Sequence, residues 1–295
     1  IPYQLVVRSA LTLSIFVTIT WHIFHILVFK YDVRPTFFLL IVIPIEYELA
    51  RSIVPEAYPL LPVNTTILPN FPKGKHPLLV RTGCDFDIKN TAGLWKFGLA
   101  VLLVPFVDRL GDNQTSFMYI AASWQDEPLA ILLASAFAGV KSNPSIIEPH
   151  PRDLHATFTE EDGNGNTLER FRARGVRDDS GVELDLTKTG AGSSPWSERA
   201  FTDILNFPSF GLYSGDLCLV HFQHLSKTHS FVHGNVAISA PTLFSDEKIF
   251  RNVFGTTASK SFYEGLNVNC QHFASWNFRA MENNKGYGWF TDDGS

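Results

Sequence analysis

Hydrophobic positions along this chain fall mostly in short runs closed by turn residues, and two longer apolar stretches stand apart from the rest. Residues 37–45 (FFLLIVIPI) are continuously apolar and rich in β-branched residues, which predicts a buried strand, with Pro44 marking a bend or a free edge. Residues 46–53 predict a helix that stops before Val54-Pro55, because the residue preceding a proline disfavours helical geometry. The proline-rich segment 58–77 reads as a surface connection. Strands follow at 76–88, 99–107 and 116–123, the last two separated by the turn Leu110-Gly-Asp-Asn113. Asp126-Glu127-Pro128 predicts a helix start, with acidic groups at the positive dipole end and proline in the first turn. That helix runs through the uncharged stretch 129–134 (LAILLA) to Ala138-Gly139, where glycine can end it.

Beyond residue 150 the pattern is mainly strands and turns: 154–159, 168–174, 181–187, 217–225, 231–239 and 265–269, with a loop at 190–197 and helices at 198–205 and 246–254. No internal repeat interrupts it. The fold class is therefore α+β and strand-rich, with residues 35–295 as one domain. Residues 1–34 stand outside that domain. Within them, residues 9–29 contain no Asp, Glu, Lys or Arg, long enough for a membrane-spanning helix, yet their partial alternation equally describes a half-buried strand. Membrane contact through residues 9–29 and burial in the fold are both open, so a cytoplasmic and a membrane-associated location are open too.

Composition narrows the function classes. The 295 residues carry a formal charge of −5 with no basic cluster, which argues against a nucleic-acid partner. Cys84, Cys218 and Cys270 lack CxxC spacing, so a structural zinc site is not expected, although one disulfide can form. Asn64-Thr-Thr and Asn113-Gln-Thr are glycosylation sequons, relevant only in a secretory context. Asp162-Gly-Asn-Gly-Asn166 resembles the start of a calcium loop, but Thr167 and Ala173 stand where glycine and glutamate are needed, so a hairpin turn is the better reading. Glu160-Glu161-Asp162 reads as a solvated loop. No phosphate-binding, dinucleotide-binding or metalloprotease motif occurs, and no cofactor is implied. His221, His224, His229 and His233 are dense, but strand alternation turns the first two to opposite faces, so structural or pocket-lining roles are expected rather than metal.

Lys141 closes the apolar stretch 129–140. It reads either as a cation beyond a helix C-terminus or as an amine held among apolar groups, which disfavour its charged form and make it a nucleophile.

Two segments bear on the choice. Arg51-Ser-Ile-Val-Pro-Glu56 with Tyr58-Pro-Leu60, and Phe117-Met-Tyr119 followed by Asp126-Glu-Pro128, an apolar helix and Lys141, resemble the acetoacetate decarboxylase family in order and spacing. A weaker similarity covers residues 234–254. The resemblance implies a cone-like antiparallel β-barrel with a few peripheral helices, and it puts Lys141 at the family's Schiff-base lysine. It also brings departures: Ser142 replaces the family's second lysine, Pro44 an arginine that meets the substrate carboxylate, and Phe97 a glutamate, while Asp85 or Asp87 stands for a second glutamate. The implied activity is a lyase acting through a Schiff base on Lys141, with Asp85 or Asp87 as acid/base or orienting group. The implied pocket is apolar, lined by Trp95, Phe97 and Phe137, with Arg81 and Ser142 nearby. A hydrophobic carbonyl compound of secondary metabolism, polyketide or terpenoid in character, is the expected substrate, and family members commonly form homo-oligomers. A non-covalent carrier or cyclisation-directing protein is the alternative.

Overall fold

The computed structural model describes residues 31–86, 96–150, 153, 157–161, 167–190, 192–219, 221–223, 229–264 and 268–274. Residues 1–30, and with them the stretch 9–29, lie outside the described residues. Strand β1 (Tyr31–Glu46) leads into helix α1 (Tyr47–Ile53), then β2 (Lys75–Phe86), β3 (Lys96–Asp108), β4 (Ser116–Gln125), helix α2 (Pro128–Ala138) and β5 (Ser142–Glu148). The second half contributes β6 (Phe158–Glu161), β7 (Thr167–Gly175), β8 (Gly181–Thr189), helix α3 (Glu198–Leu205), β9 (Ser209–Phe210), β10 (Leu217–Cys218), β11 (His221–Gln223), β12 (Ser230–Ser239), β13 (Lys248–Glu264) and β14 (Val268–Asn269).

Nine strands close a ring in the order β1-β2-β3-β4-β5-β7-β8-β12-β13, with β13 pairing back onto β1. Every neighbouring pair in the ring is antiparallel except β4 and β5, which are parallel and joined through α2. A parallel pair needs a crossover, and the apolar helix supplies it. Closure leaves no free edge along most of the ring.

Strand alternation divides the apolar residues into two cores. One takes Leu39, Ile41 and Ile43 from β1, Leu78 and Val80 from β2, Leu102 from β3, Trp124 from β4, Phe171 from β7 and Leu184 from β8. Because it draws on all nine ring strands, it fills the barrel. Phe38, Leu40 and Val42 face the other way and join Leu79, Leu99 and Val101 in a second core, covered by Phe201 and Ile204 of α3 and by Leu61 and Leu68 of the 54–74 connection. That connection is thus not wholly a surface loop. Each fully buried Leu, Ile or Phe contributes about 1.5–3 kcal/mol relative to exposure.

Pro44 lies beyond the last residue of β1 that pairs with β13, Val42, and faces Pro77 on β2. Missing amide protons there cost the ladder nothing on the free side. Arg51 then donates to the carbonyls of Tyr58, Val54 and Pro55 at 2.6, 3.1 and 2.8 Å, tying down the turn after α1.

Three expectations change. Within the expected helix 246–254, residues 248–254 form the start of β13 instead. On β12, Gly234 faces Val253 and Val236 faces Phe250, so β13 carries one extra residue across that interval. This bulge, with Asn252 at φ 54°, turns strict alternation into the spacing Ile249, Phe250, Val253, Phe254, which imitates a helical period. Residues 217–225 give two short strands, β10 and β11, in place of one, and residues 224 and 225 lie outside the described residues. Glu160 and Glu161 belong to strand β6, where Glu160 contacts Arg170, rather than to a loop.

Candidate functional site

Four of the residues nominated from sequence meet on one sheet face. Arg81 on β2 lies beside Leu40 of β1 and Val101 of β3; Val101 lies beside Ser123 of β4, and Ser123 beside Ser142 of β5. A second row parallels it, Phe38, Gly83, Leu99 and Gln125, and Asp85 faces Phe97 one step further. Leu40, Leu99 and Val101 belong to the second core and Phe97 packs against it, so this is the face turned away from the barrel filling. Sequence reasoning missed Ser123 and Gln125. The signal was there: they are polar at alternate positions in the apolar strand SFMYIAASWQ.

Arg81, Asp85, Ser123, Gln125 and Ser142 are all buried, Asp85 to 3% exposure. The Arg81 guanidinium reaches Asp85, Nη2 to Oδ1, at 3.5 Å. Two charges with so little water require a partner, and the pair supplies one for each. Gln125 Oε1 and Ser142 Oγ are buried with no hydrogen-bond partner among the described residues. Native folds leave few such groups, and a cluster of them beside an ion pair is an incompletely satisfied polar surface.

Helix α2 sets the position of Lys141. Glu127 at its N-cap accepts from Leu129 N at 3.3 Å, Pro128 occupies the first turn, and Asp126 accepts from Gly98 N at 2.8 Å, fastening the helix start to β3. Burial raises the Asp126 carboxyl above its usual range. The helix ends at Gly139, left-handed with φ 61°, whose carbonyl accepts from Tyr213 N at 3.1 Å. A Cβ at Gly139 would stand 2.1 Å from Ser214 N, so only glycine fits.

Lys141 follows two residues later, between buried Val140 and buried Ser142, and its side chain is exposed. Of the two readings its sequence allowed, the exposure fits a cation beyond a helix end, whereas the resemblance implied an amine among apolar side chains; the alternation between its two buried neighbours turns the lysine outward. Asp87, Trp95, His224 and the Phe137 side chain lie outside the described residues. Of the other histidines, His229 lies 3.4 Å from Glu198, and His233 stacks on Phe254.

Two further groups are buried without reactive character. His76 Nε2 lies 2.8 Å from the Pro105 carbonyl, and burial lowers its pKa to about 4, so the ring is neutral near pH 7 and donates there. Burial, and next the carboxylate of Asp85, push the Cys84 thiol up to about 12, far from the thiolate a nucleophile needs.

No family model matches the sequence, and no curated protein matches it. Among solved structures, the acetoacetate decarboxylase of Legionella pneumophila superposes with a TM-score of 0.50 at 11% identity, over 81% of this chain and 86% of that one. The chain has the acetoacetate decarboxylase-like fold. An acetoacetate decarboxylase-like enzyme from Sphingomonas wittichii RW1 follows at TM-score 0.46 and 14% identity, covering 81% and 92%. The enduracididine biosynthesis enzyme MppR, complexed with the condensation product of pyruvate and imidazole 4-carboxaldehyde, gives 0.49 and 10%, covering 81% and 88%. Within the acetoacetate decarboxylase-like fold, chemistry has to be argued from the residues of this chain, since folds host unrelated activities.

Proposed function

We propose that the protein is a lyase for a carbonyl-bearing, largely apolar small molecule, held against the polar face of β2–β5 and activated by Lys141. The amine attacks the carbonyl carbon, water leaves, and the resulting iminium accepts the electron pair of the breaking carbon–carbon bond. Decarboxylation, aldol cleavage and dehydration all draw on that iminium. The observation that supports this reading is the pair of buried polar groups without partners among the described residues, Gln125 Oε1 and Ser142 Oγ, where β5 begins. Lys141 precedes that strand with its side chain turned the other way, so the amine has to fold back over the strand end to reach a ligand held there. Gln125 Oε1 and Ser142 Oγ provide unsatisfied sites for substrate oxygens or hydroxyls, Phe97 an apolar wall. Asp85 orients or exchanges a proton, under the control of Arg81 at 3.5 Å. Neither a metal nor an organic cofactor enters the scheme.

A second reading, non-covalent binding of the same class of ligand, is favoured by one specific feature, the exposure of the Lys141 side chain. Reductive trapping separates the two. The protein is incubated with β-keto acids and apolar ketones, reduced with borohydride and digested. The lyase reading expects the reduced adduct on the peptide carrying Lys141, and its loss in Lys141→Ala. Ligand affinity that survives Lys141→Ala with no adduct in the wild type sinks the lyase and leaves the carrier.

A further inference from the structure

We infer that the chain matures in an oxidising secretory compartment and carries N-linked glycans on Asn64 and Asn113. Two independent features point to the same place. The first is the bond between Cys218 and Cys270, 52 residues apart in sequence with Cα atoms 5.0 Å apart. It joins β10 to the 3-10 turn that follows β14: Cys218 faces Val268 across β10 and β14, and Cys270 N donates to Asp216 O at 2.8 Å. Both half-cystines are buried in the barrel-filling core beside Phe273, so the bond is structural rather than a surface redox couple. Forming it removes two protons and two electrons from two thiols, which a disulfide-carrier protein accepts by thiol–disulfide exchange. Such bonds persist in secretory compartments and are rare in reducing ones. Cys84 stays a thiol because it is buried, which accounts for the odd cysteine.

The second feature is the geometry of the two sequons. Asn64, Thr65 and Thr66 are exposed in the 54–74 connection, where Asn64 Oδ1 accepts from Thr66 N at 2.9 Å in a compact turn. Asn113 and Gln114 are exposed in the β3–β4 turn, where Asp108 Oδ2 accepts from Asn113 N at 2.9 Å and Asn113 adopts φ 57°. Sequons on surface loops are the sites that accept glycans. The transfer forms a bond from asparagine Nδ2 to C1 of a lipid-diphosphate-linked sugar and breaks the C1–O bond. The lipid diphosphate leaves with the electron pair, and Nδ2 gives up a proton. Asn113 stands clear of the polar face of β2–β5: it follows the Asp108 end of β3, whereas Phe97, Leu99 and Val101 lie towards the other end.

The test uses protein isolated from its natural source. Denatured but unreduced protein is alkylated, treated with peptide N-glycosidase and mapped by mass spectrometry. The expected result is aspartate at positions 64 and 113 and alkylation at Cys84 alone. Unmodified asparagine at both positions, or alkylated Cys218 and Cys270, overturns the inference. A glycan at one site alone upholds the compartment and overturns the assignment of the other asparagine. None of these outcomes depends on whether Lys141 is reactive.

Discussion

The same four strands, β1 to β4, present two faces that differ in almost every respect. Towards the barrel they place Leu39, Ile41, Ile43, Leu78, Val80, Ala100, Leu102 and Trp124, whose indole donates to Ser180 Oγ at 2.9 Å. Thr82 shares that face, its hydroxyl buried with no partner among the described residues, but no buried charged group does. Away from it they place Arg81, Asp85, Ser123 and Gln125 among Phe38, Leu40, Leu99 and Val101, with polar groups left unpartnered. A face that only had to hold the fold together would not keep buried charge, since apolar residues of similar size do as well or better. Under the proposed function, stability belongs to the first face and ligand handling to the second.

Changes on the two faces should therefore have different consequences. The largest effect on stability belongs to the barrel filling: Phe171→Ala leaves a cavity and should lower unfolding free energy by about 3–5 kcal/mol in denaturant titration, whatever the ligand. Next comes Arg81→Ala, which removes a cation 3.5 Å from the buried Asp85 carboxylate and should cost about 3 kcal/mol. The double replacement Arg81→Leu, Asp85→Leu should recover most of it while losing ligand binding, a pattern no purely structural pair would give.

His76 provides a pH test of the barrel end. Its pKa is about 4 when folded against 6.5 when unfolded, so the unfolded chain binds the proton more readily between those values. Stability from this group is complete above pH 6.5 and falls as pH drops towards 4, by up to about 3 kcal/mol. Thermal melts across that window should show the loss, and His76→Gln should flatten it. The smallest effect is Ser142→Ala: with no partner to lose, stability should change by no more than about 0.5 kcal/mol, while ligand affinity falls.

Much of the fold was legible in the sequence because its elements announce themselves locally. The Glu-Pro helix start, the Gly139 stop and the Ser197-capped helix α3 sit where their residues predict them. The strand taken for a helix at 246–254 failed for a reason also visible in the residues: one inserted residue at a bulge changes the apparent period from two towards three and a half. The site was legible only in part. Arg81 and Asp85 share β2, but Phe97 and Ser142 come from β3 and β5, and their placement on one face depends on the registers from β2 to β5, which no local pattern encodes. Lys141 was legible only as a choice between a helix-end cation and an amine among apolar groups. The alternation of Val140 and Ser142 decides the direction of the side chain between them, and the run of apolar letters before it masks that alternation.

The central claim is that the polar face of β2–β5 governs chemistry at Lys141, and the yield of borohydride-trapped adduct tests it most directly. With an apolar ketone as probe, wild type should concentrate the adduct on Lys141, and Gln125→Leu and Ser142→Ala should each reduce it severalfold while unfolding as wild type does. Adduct spread evenly over the exposed lysines, or a Lys141 yield indifferent to both substitutions, would contradict it.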